Sequence, residues 1–493
     1  MAQSLTVRTK FFYGVGSVAE AGVTIAFNTF NFLFYNNVLG LPGTLAGLAV
    51  TIAVVFDALS DPIVGSISDR WRSRFGRRHP FLFFSALPLG LCFLAIYAPP
   101  AMLGEFGLFL WFTTFTIALR LALTFYLVPH LALGAELSDD YRERSVVMGY
   151  NAILGMIGGS ATFFLCWTWL GGAEGGTSNR ASFLPIGLGV GAMATLFVWG
   201  SAYFTRDRIP RLKQVDLALP AFSLRALLDE IGGCLANRNY LWLLLGMLCL
   251  AATNGVRETI GAYVNLFFWE LRPEQLRFFG LTTPLAVVVA FIATPRLNAR
   301  FDKRPTMLCA VTIYVIVTTL PVCLRIAGLL PANGHPALFP ILATFTAVYY
   351  GAGAVLMITV LSALADVADE HELATGRRQE GIFYSARSFV SKLTGAVGVF
   401  VGGIAIDLIG WPRGVERGDP VDPATVLELG LIDGPVAALP SLIAIYCYGS
   451  YAIDRAQHTG IQRALRDRKR AQGTVDDAVR PTPSTTAVAA ADS

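Results

Sequence analysis

Along most of this chain the apolar residues neither alternate nor recur at helical spacing. They run on, and polar residues break the runs only at intervals. Twelve such runs stand out, at about 11–39, 44–68, 81–99, 106–131, 145–170, 183–204, 240–269, 279–298, 307–329, 338–365, 381–410 and 431–453. Most reach the roughly 20 residues that carry a helix across the hydrocarbon core of a bilayer. The pattern predicts an all-α membrane protein of twelve transmembrane helices. Its longest polar break, 205–238, divides them six and six. The expected layout is therefore a first half at 1–204, a linker at 205–238, a second half at 239–455 and a tail at 456–493. Within the linker, "LPAFSLRALLDEIGGCLANRN" suits an amphipathic surface helix. The tail lacks core-forming side chains near its end and is expected to be disordered.

Composition agrees: 54% of the 493 residues are hydrophobic and 15% are charged, where soluble domains carry about a quarter charged residues. The positive residues fall in alternate connections, "DRWRSRFGRRHP", "TRDRIPRLK", "RFDKRP" and "ATGRRQ", and in "DRAQHTGIQRALRDRKR". The positive-inside rule places these loops and both termini in the cytoplasm. That distribution explains the formal net charge of +4 without nucleic acid. No small-residue cleavage site follows the first run, so its span is expected to stay in the protein. The seven cysteines are scattered without CxxC spacing, and free thiols are expected.

Enzyme chemistry finds no support. The sequence holds no HExxH, no GxSxG and no Walker lysine loop, and its five histidines form no cluster with cysteines. No cofactor is expected. What the spans do hold is buried charge. Asp57 and Asp61 lie four residues apart in "VFDALSDPIVG", so both carboxylates leave one helix face. An ionised acid in hydrocarbon costs several kcal/mol unless paired, hydrated or protonated. Three arrangements make two such acids tolerable: a monovalent cation between them, a proton held by one of them, or arginines that cap them as a structural pair. Arg120 lies mid-way along the fourth span, and Arg257 and Glu258 lie near the centre of the seventh. "FNTFNFLFYNN" in the first span sets Asn28 and Asn31 among phenylalanines, a combination that can stack on sugar rings and hydrogen-bond their hydroxyls.

The two halves also echo each other: "AELSDDYRER" follows the fourth span and "ADVADEHELATGRR" the tenth. An internal six-span repeat is common in secondary transporters. Two stretches then become recognisable. "FDALSDPIVGSISDRWRSRFGRRHPFL" and "ALADVADEHELATGRRQEGIFYSARSFVSKLTG" resemble the glycoside–pentoside–hexuronide:cation symporters, the group of the melibiose carriers within the major facilitator superfamily. The resemblance implies the major facilitator fold and cation-coupled transport of a sugar or glycoside. It assigns Asp57, Asp61 and Thr124 to the coupling-cation site and sets Lys392 between cation and sugar. The ion would be Na+ or H+, with no metal site beyond it. The family's sugar-contacting acids and arginine meet Ala21, Leu127 and Ala152 here, so galactoside recognition does not carry over. Glu20, next to Ala21, is a candidate substitute for the first of them.

Two consequences complete the expectation. Arg120, Arg257 and Lys392 against Asp57, Asp61 and Glu258 offer cations for an anionic group, which points to an acidic sugar such as a uronate. If Arg120 and Lys392 permanently neutralise the aspartates, the protein would instead be an uncoupled uniporter or exchanger. A carrier of an amphiphile such as a lysolipid is the other alternative. At the cytoplasmic face Asp69, Arg70, Arg77, Arg78, Glu136 and Asp366 are expected to latch the halves together as a gate. The partners are a small-molecule solute and the lipid bilayer, not nucleic acid, and the chain is expected to act as a monomer.

Overall fold

The computed structural model describes residues 5–138, 140–212, 232–233, 235–376, 380–416 and 418–479. They form thirteen long helices. In the first half these are α1 (Val7–Phe32), α2 (Gly43–Arg70), α3 (His79–Tyr97), α4 (Glu105–Glu136), α5 (Tyr141–Gly172) and α6 (Arg180–Phe204). In the second they are α7 (Arg238–Phe268), α8 (Phe279–Phe301), α9 (Lys303–Ile326), α10 (Leu338–Thr375), α11 (Glu380–Leu408) and α12 (Pro423–Gly449). A thirteenth helix, α13, spans Arg455–Val479. Among the described residues there is no strand.

Helices α2 to α12, eleven in number, are long and apolar enough to cross a membrane. The twelfth expected span, α1, is long enough, but Glu20, Asn28, Asn31 and its threonines and serine make it more polar than the others. Its position explains the composition. It packs inside the bundle against α5 and α6 and touches α7 across the interface, so it needs less apolar surface than a lipid-facing helix. The outward faces elsewhere expose Phe84, Leu285, Phe291 and Leu442, as a lipid-facing surface requires.

Six helices pack mainly among themselves in each half. The halves meet through α2 with α11, α5 with α8, and α1 with α7. A shift of six helices converts the first pair into the second, which is the signature of two repeats around a pseudo-two-fold axis. Local structure carries the same repeat. α1 ends in a π-helical turn, Leu33–Val38, and α7 ends in another, Val264–Phe268. The amide of Leu39 donates to the carbonyl of Phe34 at 3.0 Å, and that of Trp269 donates to Val264 at 2.9 Å. Leu41 to Tyr35 and Leu271 to Asn265 repeat the next bond, both at 2.9 Å.

One part of the expected layout falls outside the described residues and another changes. The segment proposed as an amphipathic linker helix lies mostly outside the described residues; what is described begins with a 3-10 turn at Arg206–Arg211. The tail expected to be disordered from residue 456 is helical as far as Val479. Asp454 caps this helix by accepting from the Gln457 amide at 2.8 Å. Arg455 donates to the carbonyls of Asn298 and Ala299 at 2.9 and 2.7 Å, satisfying acceptors near the C-terminal end of α8. Leu465 is buried one heptad after His458, which holds α13 against α10. A short apolar stripe and a few polar anchors sufficed where composition alone read as disorder.

Candidate functional site

One helical turn on α2 separates Asp57 from Asp61, and two other helices converge on them. Thr124 Oγ1 on α4 lies 2.9 Å from Asp57 Oδ1 and 3.0 Å from Asp61 Oδ1. Its single hydroxyl hydrogen is therefore shared between two carboxylates. Lys392 on α11 donates from Nζ to Asp57 Oδ2 at 2.8 Å and to Asp61 Oδ2 at 2.5 Å. Ser60 Oγ donates to the Asp57 carbonyl at 3.0 Å. The two acids thus hold one ammonium and one hydroxyl between them. Since α2 and α4 belong to one half and α11 to the other, this cluster bridges the halves inside the membrane.

Arg120, one turn before Thr124, approaches the same acids less closely. Its Nη1 is 3.7 Å from Asp57 Oδ2, within ion-pair range but beyond a hydrogen bond. Its guanidinium lies 5.5 Å from the centre of the Phe27 ring.

Beside this cluster a cavity of about 570 Å3 opens between the halves. Glu20, Asn28, Trp167, Asn254, Arg257, Glu258, Tyr349 and Asp433 are among its lining residues. Its size suits a mono- or disaccharide-sized solute. Arg257 is fully engaged: it donates from Nε and Nη2 to Asp433 Oδ1 and Oδ2 at 3.1 and 3.3 Å, while its guanidinium lies 4.5 Å from the Tyr349 ring centre. Tyr314 and Tyr349 both donate to Asn254 Oδ1, at 2.7 and 2.6 Å. Glu258, the next residue along from Arg257, points elsewhere and accepts only a long 3.4 Å bond from Asn28 Nδ2. Among the described residues no group of three or more His, Cys, Asp and Glu side chains could hold a metal ion.

Residues 12–455 match the model of the MFS/sugar transport protein family. The chain belongs to that family. It is a transporter, not an enzyme, and it is an integral membrane protein. An uncharacterized symporter of Synechocystis is 26% identical, over 95% of this chain and 98% of that protein. A glucuronide carrier protein homolog of Escherichia coli is 25% identical, over 83% of this chain and 86% of its own length. Among solved structures a D-xylose-proton symporter superposes with a TM-score of 0.62 at 13% identity, over 91% of this chain and 98% of that one, a likeness of fold.

The structure sorts the sequence candidates into three places. Asp57, Asp61, Thr124 and Lys392 form one cluster, with Arg120 at its edge. Glu20, Asn28, Arg257 and Glu258 line the cavity. Asn31 joins neither: it is buried, and neither its amide nitrogen nor its oxygen has a partner among the described atoms.

Five of the expected gate residues, Asp69, Arg77, Arg78, Glu136 and Asp366, form ion pairs within a half in this arrangement. Arg78 donates to Asp69 Oδ1 at 2.5 Å and, from Nε and Nη2, to Glu136 Oε1 at 3.2 and 2.8 Å; Arg77 joins Glu136 at 2.7 Å. These tie the end of α2 and the start of α3 to α4, within the first half. Lys303 at the start of α9 donates to Asp366 on α10 at 2.6 Å, within the second. In this arrangement they brace each half, Glu136 and Asp366 each meeting the arginines or lysine at the start of the helix before its own. The second pair repeats the first six helices on.

The charge expectation also changes. Asp433 was missed, although an acid within the twelfth apolar run carries the same signal as Asp57. With it and Glu20 counted, three cationic side chains face five carboxyl groups around the cavity and the acid pair. Among the described residues the cations there are thus outnumbered by carboxyl groups. Tyr314, Tyr349 and Asn254 carry no comparable signal, because a tyrosine or an amide in an apolar run is ordinary.

Proposed function

We propose that this chain is a symporter of the bacterial inner membrane, both termini cytoplasmic, that moves a sugar or glycoside with Na+ or H+ by alternating access. The observation that supports the coupling most directly is the acid pair itself. Asp57 and Asp61 hold the Lys392 ammonium and the Thr124 hydroxyl at 2.5 to 3.0 Å. Two carboxylates and a hydroxyl are the donor set a hard monovalent cation accepts. The same two acids, side by side in low dielectric, favour retention of a proton by one of them. In this arrangement Lys392 occupies the place of the coupling cation and bridges the halves. An arriving cation competes with that ammonium and so acts on the contact between α2 and α11.

A neutral solute fits the cavity better than an acidic one. Arg257 is already paired with Asp433, and the groups that remain toward the cavity, Glu20, Glu258 and Asn28, offer acceptors for hydroxyl donors. Trp167 and Tyr349 supply aromatic faces for a sugar ring. One monovalent charge moving down about 100 mV releases roughly 2.3 kcal/mol. At about 1.4 kcal/mol per tenfold, that sustains a solute gradient of roughly fifty-fold.

Uptake into vesicles under an imposed sodium or proton gradient, across a panel of neutral glycosides, uronates and lysolipids, tests the proposal. Neutral glycosides should accumulate. Asp61→Asn should lower gradient-driven accumulation by about tenfold or more while leaving downhill exchange measurable. Undiminished accumulation by Asp61→Asn would remove the coupling role and identify Lys392 as a permanent counter-ion.

A further inference from the structure

Arg120 approaches Asp57 without a hydrogen bond to it, on the side of the site that faces Phe27 of α1. Its distance to Asp57, 3.7 Å, is long because Lys392 and Thr124 already hold that carboxylate at 2.8 and 2.9 Å. Its Nε is buried without a partner among the described residues. Glu258 on α7 belongs to the other half and meets α1 at Asn28, next to the Phe27 ring that lies 5.5 Å from the guanidinium. Glu258 in turn has only the 3.4 Å bond from Asn28. Phe27, whose ring faces the guanidinium, is the immediate neighbour of Asn28 on α1. A buried cation with an unsatisfied donor and two half-made partnerships has two alternative positions.

We propose that Arg120 is a positioning residue that transmits ion occupancy from the acid pair to the cavity by changing partners from Asp57 to Glu258. This deepens the proposed function and rests on the coupling reading. A cation that joins the displaced but still neighbouring Lys392 ammonium at Asp57 and Asp61 adds positive charge beside the guanidinium and repels it. Arg120 then closes on Glu258 with charge-assisted hydrogen bonds, and the Asn28 amide is released to the cavity, where it can bind a solute hydroxyl. The direction is the one symport needs: the ion readies the solute site, and by linkage a solute that engages Asn28 favours the ion. The exchange also draws α4 of one half toward α7 of the other.

A double-mutant cycle on cation affinity tests this without knowledge of the solute. Na+ affinity of the purified full chain is measured by titration calorimetry, and proton affinity by the pH dependence of the same signal. The four proteins are wild type, Arg120→Gln, Glu258→Gln and the double variant. Arg120→Gln should tighten cation binding by about tenfold, because a like charge leaves Asp57. Glu258→Gln should weaken it by about threefold to tenfold in the wild type, because the displaced arginine has no destination. It should change nothing in the Arg120→Gln background. Arg120→Lys, which keeps the charge, should retain the dependence on Glu258 and serves if the glutamine variant fails to fold. An equal weakening by Glu258→Gln in both backgrounds would mean simple attraction through space and would overturn the relay. Absence of both Na+ and proton binding in the wild type would overturn the coupling reading, and the relay with it.

Discussion

At the end of the bundle that carries the loop between α2 and α3, the strong contacts are ion pairs inside one half: Arg77 and Arg78 with Glu136, Arg78 with Asp69, Lys303 with Asp366. At the opposite end the contacts run between halves and engage the backbone. Asp407 on α11 accepts from the Gly43 and Thr44 amides at 2.8 and 2.7 Å, so it caps the first turn of α2 from the other half. Asn37 donates to the Val415 carbonyl at 3.1 Å, and Tyr263 donates to Asn36 Oδ1 at 2.7 Å. Gly43 and Gly403 touch backbone to backbone: a Cβ on Gly403 would lie 2.2 Å from the Gly43 carbonyl oxygen. The difference separates two mechanical tasks. Pairs within a half keep four helix ends rigid while the half moves as a body. Contacts between halves shut one end of the cavity and must break when access alternates.

The strongest break of this comparison is Gly403→Leu. A side chain there cannot share space with the Gly43 backbone, so the closed end should not form. Solute transport should fall by more than about tenfold. A cysteine placed at Thr24 on the cavity wall should become reactive to an impermeant thiol reagent added at that end. Unaltered transport would show that the closed arrangement is dispensable.

Next in size is Glu136→Gln, which leaves Arg77 and Arg78 with one less charge. Removing one partner of a buried ionic cluster costs about 3–5 kcal/mol. Glu136 is a little exposed at the helix end, so the lower figure or less applies. Thermal unfolding in detergent should show the loss, and the Thr24 cysteine should keep its wild-type sidedness. A change of sidedness with no loss of stability would make the cluster a gate after all.

The smallest effect belongs to Asp407→Asn, which keeps the size of the cap but replaces one of its two accepting oxygens with a donor and removes its charge. Losing a cap costs about 0.5–2 kcal/mol, and here that cost falls on only one access state. The population should move toward opening at that end by a few-fold to roughly thirtyfold, with little change in unfolding temperature. Interhelical distance measurements between α2 and α11 would read it.

How much of this was legible beforehand differs from residue to residue. Asp57 and Asp61 announced themselves, because a charge in an apolar run is costly and therefore conspicuous. Asp433 was as conspicuous by the same reasoning, yet it mattered only once Arg257 was seen facing it. The echo between 135–144 and 365–378 was visible as composition, whereas its meaning, a Glu136 or Asp366 braced by the start of the preceding helix, needed the loops in place. Asn31 looked like a cavity residue by its company and lies only about 60° round the helix from Asn28, yet neighbouring helices bury it away from the cavity.

By itself the sequence determined that this chain spans a membrane with helices, that it has two related halves, and that two acids share one helix face. These are local or additive properties: hydropathy sums along a run, and four residues make about one turn whatever surrounds them. Tertiary structure alone decided that Lys392 sits on those acids, that Arg257 is already neutralised, that Arg77, Arg78 and Lys303 meet acids of their own half, and that Arg120 lies 3.7 Å from Asp57. Each of those is a distance of a few ångströms between residues up to 335 positions apart. Coulomb and hydrogen-bond energies depend on that distance, and the spacing of residues along a chain says nothing about it.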